Sequence, residues 1–497
     1  MKKLIIIFLA VFSMLTSCKR TWLEIVPQGD QVTVTTEDYD KLMNDGAFYA
    51  YHSIGGYTEA QLMGDEVAQV KPYFINKNAV RERLFQWADD VYPEPAVTSL
   101  VLRTTMTQMY TINKIIAEVM TATGGTEERK KGIRAEALAT RAFSIWNMAS
   151  LYCKPYAAAT AGTDPGFPFV AVPNVNIQDI PRGTLQQTYD FIIKDYTEAL
   201  ASIPAKQNIV TRMSRPAVEG LLGKVYLFMG RYNDALPLLK AALADVIANG
   251  QTSLYNYNET FAAGGAFLPI SATNGPKSPY QLMDDTREAV VSKVFYAGKS
   301  VGNITGTDGL VLTKAAQALY QPTDHRLKFY INKNENNSVN AAGLLRKYGL
   351  NYSRFGLQLS ELYLLCAEAK ARANDLTGAV TDLETLRKAR IRVKNDNGDP
   401  INDALVPAAT ATNQAALIKF IIEERIREFA VEGYRWFDMR RLSVDPLFAG
   451  ATFTHTVYDQ DAVPTVLETY TLKQPQRFVM RFPRNIMDAN PNMQDNP

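Results

Sequence analysis

Apolar positions recur three and four residues apart over long stretches of this chain. Between Lys131 and Tyr152 they fall at Leu138, Ala142, Ile145, Ala149 and Tyr152, which marks one face of a helix packed on a neighbour. Leu185 to Ile203 repeats the pattern with Tyr189, Ile192, Ile193, Tyr196 and Leu200, and Pro204, which has no backbone N–H to donate, ends it. Ala217 to Met229 is apolar, and Gly230-Arg231-Tyr232-Asn233-Asp234-Ala235-Leu236 breaks it and begins another helix. A helix predicted over Leu357 to Arg372 is followed by the turn Ala373-Asn374-Asp375 and a further helix carrying Ala379. Ile418, Ile421, Ile422, Ile426, Phe429 and Ala430 make a last buried stripe over Ile418 to Val431.

Two of these places read helix, small turn, then a helix with an alanine in its early turn. That resembles the tetratricopeptide repeat, in which small residues let paired helices cross closely. The predicted fold class is mainly α, a tetratricopeptide-repeat-like helical scaffold with long irregular loop-rich excursions and a few short strands. The largest excursion runs from about 249 to 354. Gly264-Gly265, Asn274-Gly275-Pro276, Gly298, Gly302, Gly306, Gly309 and the polar run Asn332 to Asn337 give it the density of turn formers expected of loops. Ala289 to Ala297 inside it reads as a strand. Two more excursions are expected at about 55–95 and 445–497. Loops on a rigid scaffold are where binding surfaces usually lie.

The first residues follow another logic. Met1-Lys2-Lys3 is a basic start, Leu4 to Phe12 a continuous apolar run, and Leu15-Thr16-Ser17-Cys18 resembles a bacterial lipobox. Residues 1–17 are expected to be a lipoprotein signal peptide, with cleavage before Cys18 and lipid added to its sulfur and new amino group. The run is too short for a permanent membrane span, whereas several acyl chains anchor stably. Residues 18–497 are expected to form a single domain.

Composition narrows the field of functions. The 53 Lys+Arg nearly balance the 51 Asp+Glu, which argues against a nucleic-acid binder relying on overall charge. Removing Lys2 and Lys3 with the signal takes the basic count from 53 to 51 and leaves the mature chain balanced. Three cysteines cannot build a disulfide framework, and the scattered His52, His325 and His455 offer no histidine-rich metal site. Cys153 and Cys366 read as small buried residues, and Trp146 and Trp436 as core. No HExxH, GxSxG or phosphate-loop pattern occurs. No enzyme, cofactor or metal is implied.

Several segments in order resemble the SusD/RagB family of outer-membrane nutrient-binding lipoproteins of Bacteroidetes. Trp22-Leu23-Glu24-Ile25-Val26-Pro27 follows the lipidated cysteine. Ala135 to Leu138 with Arg141-Ala142-Phe143, Leu151-Tyr152 and Gly166-Phe167-Pro168 is similar to the family's first block. Arg182, Thr184, Tyr189, Asp195, Leu200 and Pro204, then Gly223 to Leu227, continue it. Ser360 to Leu364 with Ala367-Glu368-Ala369, Leu386 to Arg390, the long block Glu424 to Arg441, and the tail Phe482-Pro483-Arg484-Asn485-Ile486 complete the resemblance. It implies a protein lipid-anchored in the outer membrane and facing the cell exterior. It also implies that the protein binds a nutrient oligosaccharide and delivers it to a partner SusC-like TonB-dependent transporter.

The block Glu424, Arg425, Arg427, Glu428, Glu432, Arg435, Asp438, Arg440 and Arg441 is dense enough in carboxylates to suggest a two-carboxylate hydrolase site. A salt-bridge network is the favoured reading, because paired arginines depress carboxylate pKa values and spoil a general acid. For a sugar, an aromatic platform ringed by polar groups is needed. Trp87 is the expected platform, with Tyr73, Tyr92, Asn76, Arg81, Asp89 and Asp90 around it. Tyr255, Tyr257, Phe261, Phe267 and Tyr280 are expected to complete the groove or to face the transporter. Peptide capture on the same fold, and a periplasmic helical-repeat scaffold that binds only proteins, stay open as alternatives.

Overall fold

The structure is a computed structural model that describes residues 33–48, 57–71, 79–177, 180–282, 285–295, 310–333, 339–340, 343–348, 354–460, 463 and 465–497. The expected signal segment, Cys18, Tyr73 and Asn76 lie outside the described residues.

Among the described residues nine helices have eight residues or more. They are α1 (Leu100–Glu118), α2 (Glu127–Tyr152), α3 (Leu185–Leu200), α4 (Arg215–Phe228), α5 (Tyr232–Asn249), α6 (Leu359–Arg372), α7 (Leu376–Arg390), α8 (Gln414–Phe429) and α9 (Tyr434–Leu442). The fold is the mainly helical one expected. α2 packs on α3, α4 on α5 and α6 on α7, while α6 also contacts α5 and α8 and so joins the pairs into one stack.

Local chemistry sets the ends. Thr126 Oγ1 accepts the Arg129 N–H at 3.2 Å, and Thr184 and Gln187 form a reciprocal capping box on α3. Gly230 and Asn374 occupy the left-handed region (φ +74° and +64°) at the two turns inside the helix pairs. The alanines that suggested the repeat, Ala235 and Ala379, are fully buried at equivalent places in α5 and α7. Close crossing of α4 and α5 rests on Gly223, where a Cβ would lie 2.7 Å from Leu239 Cγ.

Two boundaries differ from expectation. Leu357 and Gln358 are extended because they pair with Val291 and Ala289 in a sheet, so α6 starts at Leu359. α8 stops at Phe429, because Val431 turns into the left-handed region (φ 67°) and gives its N–H to the Glu66 carboxylate at 3.2 Å.

The strands are short. β1 (Val67–Val70), β3 (Leu310–Leu312), β7 (Thr454–Tyr458) and β8 (Val466–Thr471) form a four-stranded sheet in the order β3-β1-β7-β8. β2 (Ala289–Phe295) pairs antiparallel with β6 (Arg354–Gln358), and β4 (Tyr330–Ile331) with β5 (Arg346–Lys347). Trp146, Trp436, Cys153 and Cys366 all sit in the core, and both cysteines are free thiols. Burial pushes the Cys153 thiol up to about 11, against the pull of Arg182 and Arg440. No helix among the described residues is long and apolar enough to cross a membrane.

Candidate functional site

The chain from 79 to 92 is a short helix, Ala79–Phe85, followed by a loop that returns into the core. Trp87 closes the helix in the left-handed region (φ 49°), and its backbone N–H reaches Leu84 O at 3.1 Å. Its side chain is only 5% exposed, and Nε1 donates to Met63 O at 3.1 Å. One indole face is stacked on His455, 3.8 Å between centroids, and the other side of that imidazole stacks on Phe85 at 4.2 Å. The expectation of an open stacking platform at Trp87 is therefore corrected, because an indole covered on this scale has no face left for a sugar. Tyr92 is corrected on the same ground: it is 3% exposed, and burial raises its phenol well above the usual range.

Asp89 and Asp90 remain nearer the solvent. Asp89 accepts from Lys473 Nζ at 2.8 Å and lies 3.4 Å from Arg477, and the Lys473 hydrogen bond leads in lowering its pKa. Asp90 Oδ1 accepts the Tyr92 N–H at 3.2 Å, while its carbonyl takes Arg83 at 3.0 Å. Asp90 thus holds the shape of its own loop, and Asp89 ties that loop to the C-terminal stretch. Arg81 is half-buried on the Ala79–Phe85 helix.

No local pattern marks the histidine that organises this region. His455 Nδ1 lies 2.6 Å from Phe85 O and Nε2 lies 2.7 Å from Gly64 O, so the ring bolts β7 to two segments distant in the chain. Burial pushes its pKa down to about 4, although both carbonyls and Asp65 favour the second proton. Beside it, Arg435 grips Asp65 through two bonds of 2.5 and 3.0 Å. Glu66 is buried next to Asp65, and burial followed by that neighbouring charge raises its carboxyl to about 7.

The dense charged block is an ion-pair network inside the helical stack. Glu424, fully buried, meets Arg326 at 2.6 Å, Arg387 at 2.5 Å and Arg427 at 2.8 Å. Burial alone would raise its pKa, but the three guanidinium groups overcome that and hold it far below the usual carboxylate range. Asp438, between Arg425 at 2.7 Å and Arg441 at 2.8 Å, is likewise pulled down to about 2 against its burial. Arg441 also grips Glu368 with two bonds of 2.7 Å. The favoured reading of a salt-bridge network holds for these carboxylates: both are ionised at neutral pH and neither has a proton to give. Among the described residues no group of three or more His, Cys, Asp or Glu is placed to hold a metal ion.

The second aromatic stretch is also interior. Tyr255, Tyr257, Phe261 and Phe267 are each less than a tenth exposed and interlock with Phe329 at centroid distances of 5.0–6.3 Å. As an exposed wall of a sugar groove this stretch is corrected; these four residues are continuous with the main core, under the large excursion.

One end of the four-stranded sheet gathers three stretches distant in the chain. β1 runs antiparallel to β3 with Gln69 opposite Leu310, and parallel to β7 with Val70 opposite Tyr458. Lys71 donates its N–H to Tyr458 O at 2.8 Å, and its side chain meets Glu468 of β8 at 3.3 Å. Lys71, Leu310 and Tyr458 therefore share that end. Segment 72–78, with Tyr73 and Asn76, follows the first of them in sequence, and segment 296–309 precedes the second.

Comparison with known proteins falls on the whole described body. No curated protein matches the chain in sequence. Among solved structures, a SusD superfamily protein from Bacteroides vulgatus superposes with a TM-score of 0.68 at 20% identity, covering 93% of this chain and 99% of that one. A SusD superfamily protein from Bacteroides thetaiotaomicron gives 0.68 at 19% identity, covering 93% and 100%. A SusD-like carbohydrate binding protein from Bacteroides vulgatus gives 0.66 at 16%, covering 93% and 97%. These likenesses establish the fold. Two family descriptions match in sequence: residues 295–497 fit the SusD family, and residues 21–227 fit a SusD-like family described as starch-binding associating with outer membrane. With the two matches lying on successive stretches of one fold, the chain belongs to the SusD/RagB family.

Proposed function

We propose that this protein is an outer-membrane lipoprotein that captures a nutrient oligosaccharide and passes it to a partner TonB-dependent transporter. The observation that carries the reading is the match of residues 21–227 to a starch-binding, outer-membrane-associated family. Physical chemistry agrees with a carrier role. A stack of ion-paired helices gives a stiff body, and Lys71, Leu310 and Tyr458 share one end of its four-stranded sheet. With its carboxylates Glu424, Glu428 and Asp438 committed to arginines and Glu432 to Lys347, the charged block supports binding without chemistry.

The domain reading follows the same line: residues 1–17 are removed, Cys18 carries the lipid, and 18–497 act as one body facing the cell exterior. A tethered binder with no spanning helix cannot itself move a solute across a membrane, so a separate transporter takes the ligand, and shared anchoring raises their effective concentration. Calorimetry of the mature chain against a glycan panel tests the function. Saturable binding of an oligosaccharide, without cleavage, is expected. Binding of mixed oligopeptides and of no glycan would replace it with peptide capture. Palmitate labelling that survives Cys18→Ala would remove the anchor assignment.

A further inference from the structure

A groove of about 630 Å³ opens beside the buried aromatic cluster. Its walls come from Asn258 and Phe261, from the turn carrying His325 and Lys328, and from Arg392 and Lys394 beyond the end of α7. That volume lies within the range of small-molecule sites and far exceeds a bare oxyanion.

The charges around it do not balance. Asp324 is the one acidic residue of the lining, and Arg326 occupies both its oxygens at 2.7–3.2 Å. Among the described residues Arg392 pairs only with Asp396, 2.5 Å away and with its side chain 93% exposed, where an ion pair is worth little. Lys328 and Lys394 meet no carboxylate among the described residues. Lys328 instead lies 4.7 Å from the Phe261 ring centroid.

His325 stacks on the same ring at 5.8 Å, is 8% exposed, and leaves its buried Nε2 without a hydrogen-bond partner. A buried nitrogen without a partner is costly, and cations left facing one another add to that cost. The groups facing His325 are Lys328, Arg392 and Asp324. Burial first, then Lys328, pushes the imidazole down to about 4; Arg392 adds to this and Asp324 opposes it. Burial and then Arg392 lower Lys328 as well. An oxyanion placed among them would relieve both effects.

We propose that this groove binds the carboxylate or sulfate group of an acidic sugar unit, with Lys328 and Arg392 on the anionic oxygens and His325 donating from Nε2. The assignment of a sugar as the carrier of the anion rests on the reading above that the protein captures glycans. The anion would draw a proton onto His325, so binding should be several-fold tighter at pH 5.5 than at pH 8.

The test follows the His325 ring signals by NMR in the mature chain during titration with trigalacturonate, maltotriose, inorganic sulfate and a neutral tripeptide. The proposal expects trigalacturonate to move His325 and to bind at least tenfold more tightly than maltotriose. Lys328→Gln with Arg392→Gln should abolish that preference while any maltotriose affinity stays unchanged. His325 signals unmoved by trigalacturonate would overturn the groove assignment, and so would an unaltered preference in the folded double variant. Sulfate or tripeptide binding as tightly as the acidic sugar would overturn the sugar. Failure of maltotriose alone would leave this assignment standing, whereas binding of peptides and of no oligosaccharide across a wider glycan panel would count against the function on which it rests.

Discussion

Two regions of the molecule concentrate arginine and lysine, and they use them in opposite ways. Around Glu424, Glu368 and Asp438, each buried carboxylate is held by two or more guanidinium groups at salt-bridge distance. Around His325, Lys328 and Lys394 line a groove in which they meet no carboxylate among the described residues, and Arg392 pairs there with a solvated one. Cations that meet buried carboxylates are committed to holding helices together. Cations that line a cavity without them are held ready for an anion from outside. Local charge density looks the same in both places when only the sequence is read; the difference is in what lies opposite.

The paired side should break hardest. Glu424→Ala leaves Arg326, Arg387 and Arg427 buried without their shared carboxylate, and urea unfolding should register a loss toward the upper end of about 3–5 kcal/mol. Trp87→Ala should cost about 3–5 kcal/mol through a cavity against His455, measured as a fall in melting temperature. A freely exposed platform would cost almost nothing there. Gly223→Ala drives a methyl group onto Leu239 and should cost about 1–3 kcal/mol.

Acid should act in two windows. His455 is held near 4 against an ordinary 6.5, so the unfolded chain takes its proton first and stability falls as pH drops from 6.5 toward 4. Asp438 is held near 2 against 3.8, so its contribution, complete above about 4, is lost as pH falls from there to 2. A melting temperature flat between pH 7 and pH 2 would contradict both placements. On the unpaired side, Lys328→Gln should change stability by no more than about 0.5 kcal/mol, which separates a ligand role from a structural one.

The helical body was largely legible in the sequence because its signals are local. Apolar periodicity marked α2, α3 and α8, and Gly230 and Ala235 or Asn374 and Ala379 marked the turns. Leu357 reads as helical in the sequence because its pairing partner, Val291, is 66 positions away, and a sheet register is invisible to local patterning. The site was less legible for the same reason. An aromatic residue in a loop-rich stretch reads as exposed until something distant covers it. For Trp87 the cover is His455, delivered by β7 from the other end of the chain. Asp89 and Asp90 lie nearer the solvent, but Lys473, Arg477 and Arg83, two of them from the far end of the chain, decide what they do there. The groove at His325 is assembled from three separate stretches, so no single motif announced it.

The central claim is that this rigid body captures a glycan and performs no chemistry on it. Titration calorimetry of the mature, unlipidated chain against neutral and acidic oligosaccharides and mixed peptides, with chromatography of the recovered ligand, tests it most directly. Saturable heat with at least one oligosaccharide, recovered at its original length, is the predicted result. Heat with peptides alone, or shortened oligosaccharide after incubation, would contradict it.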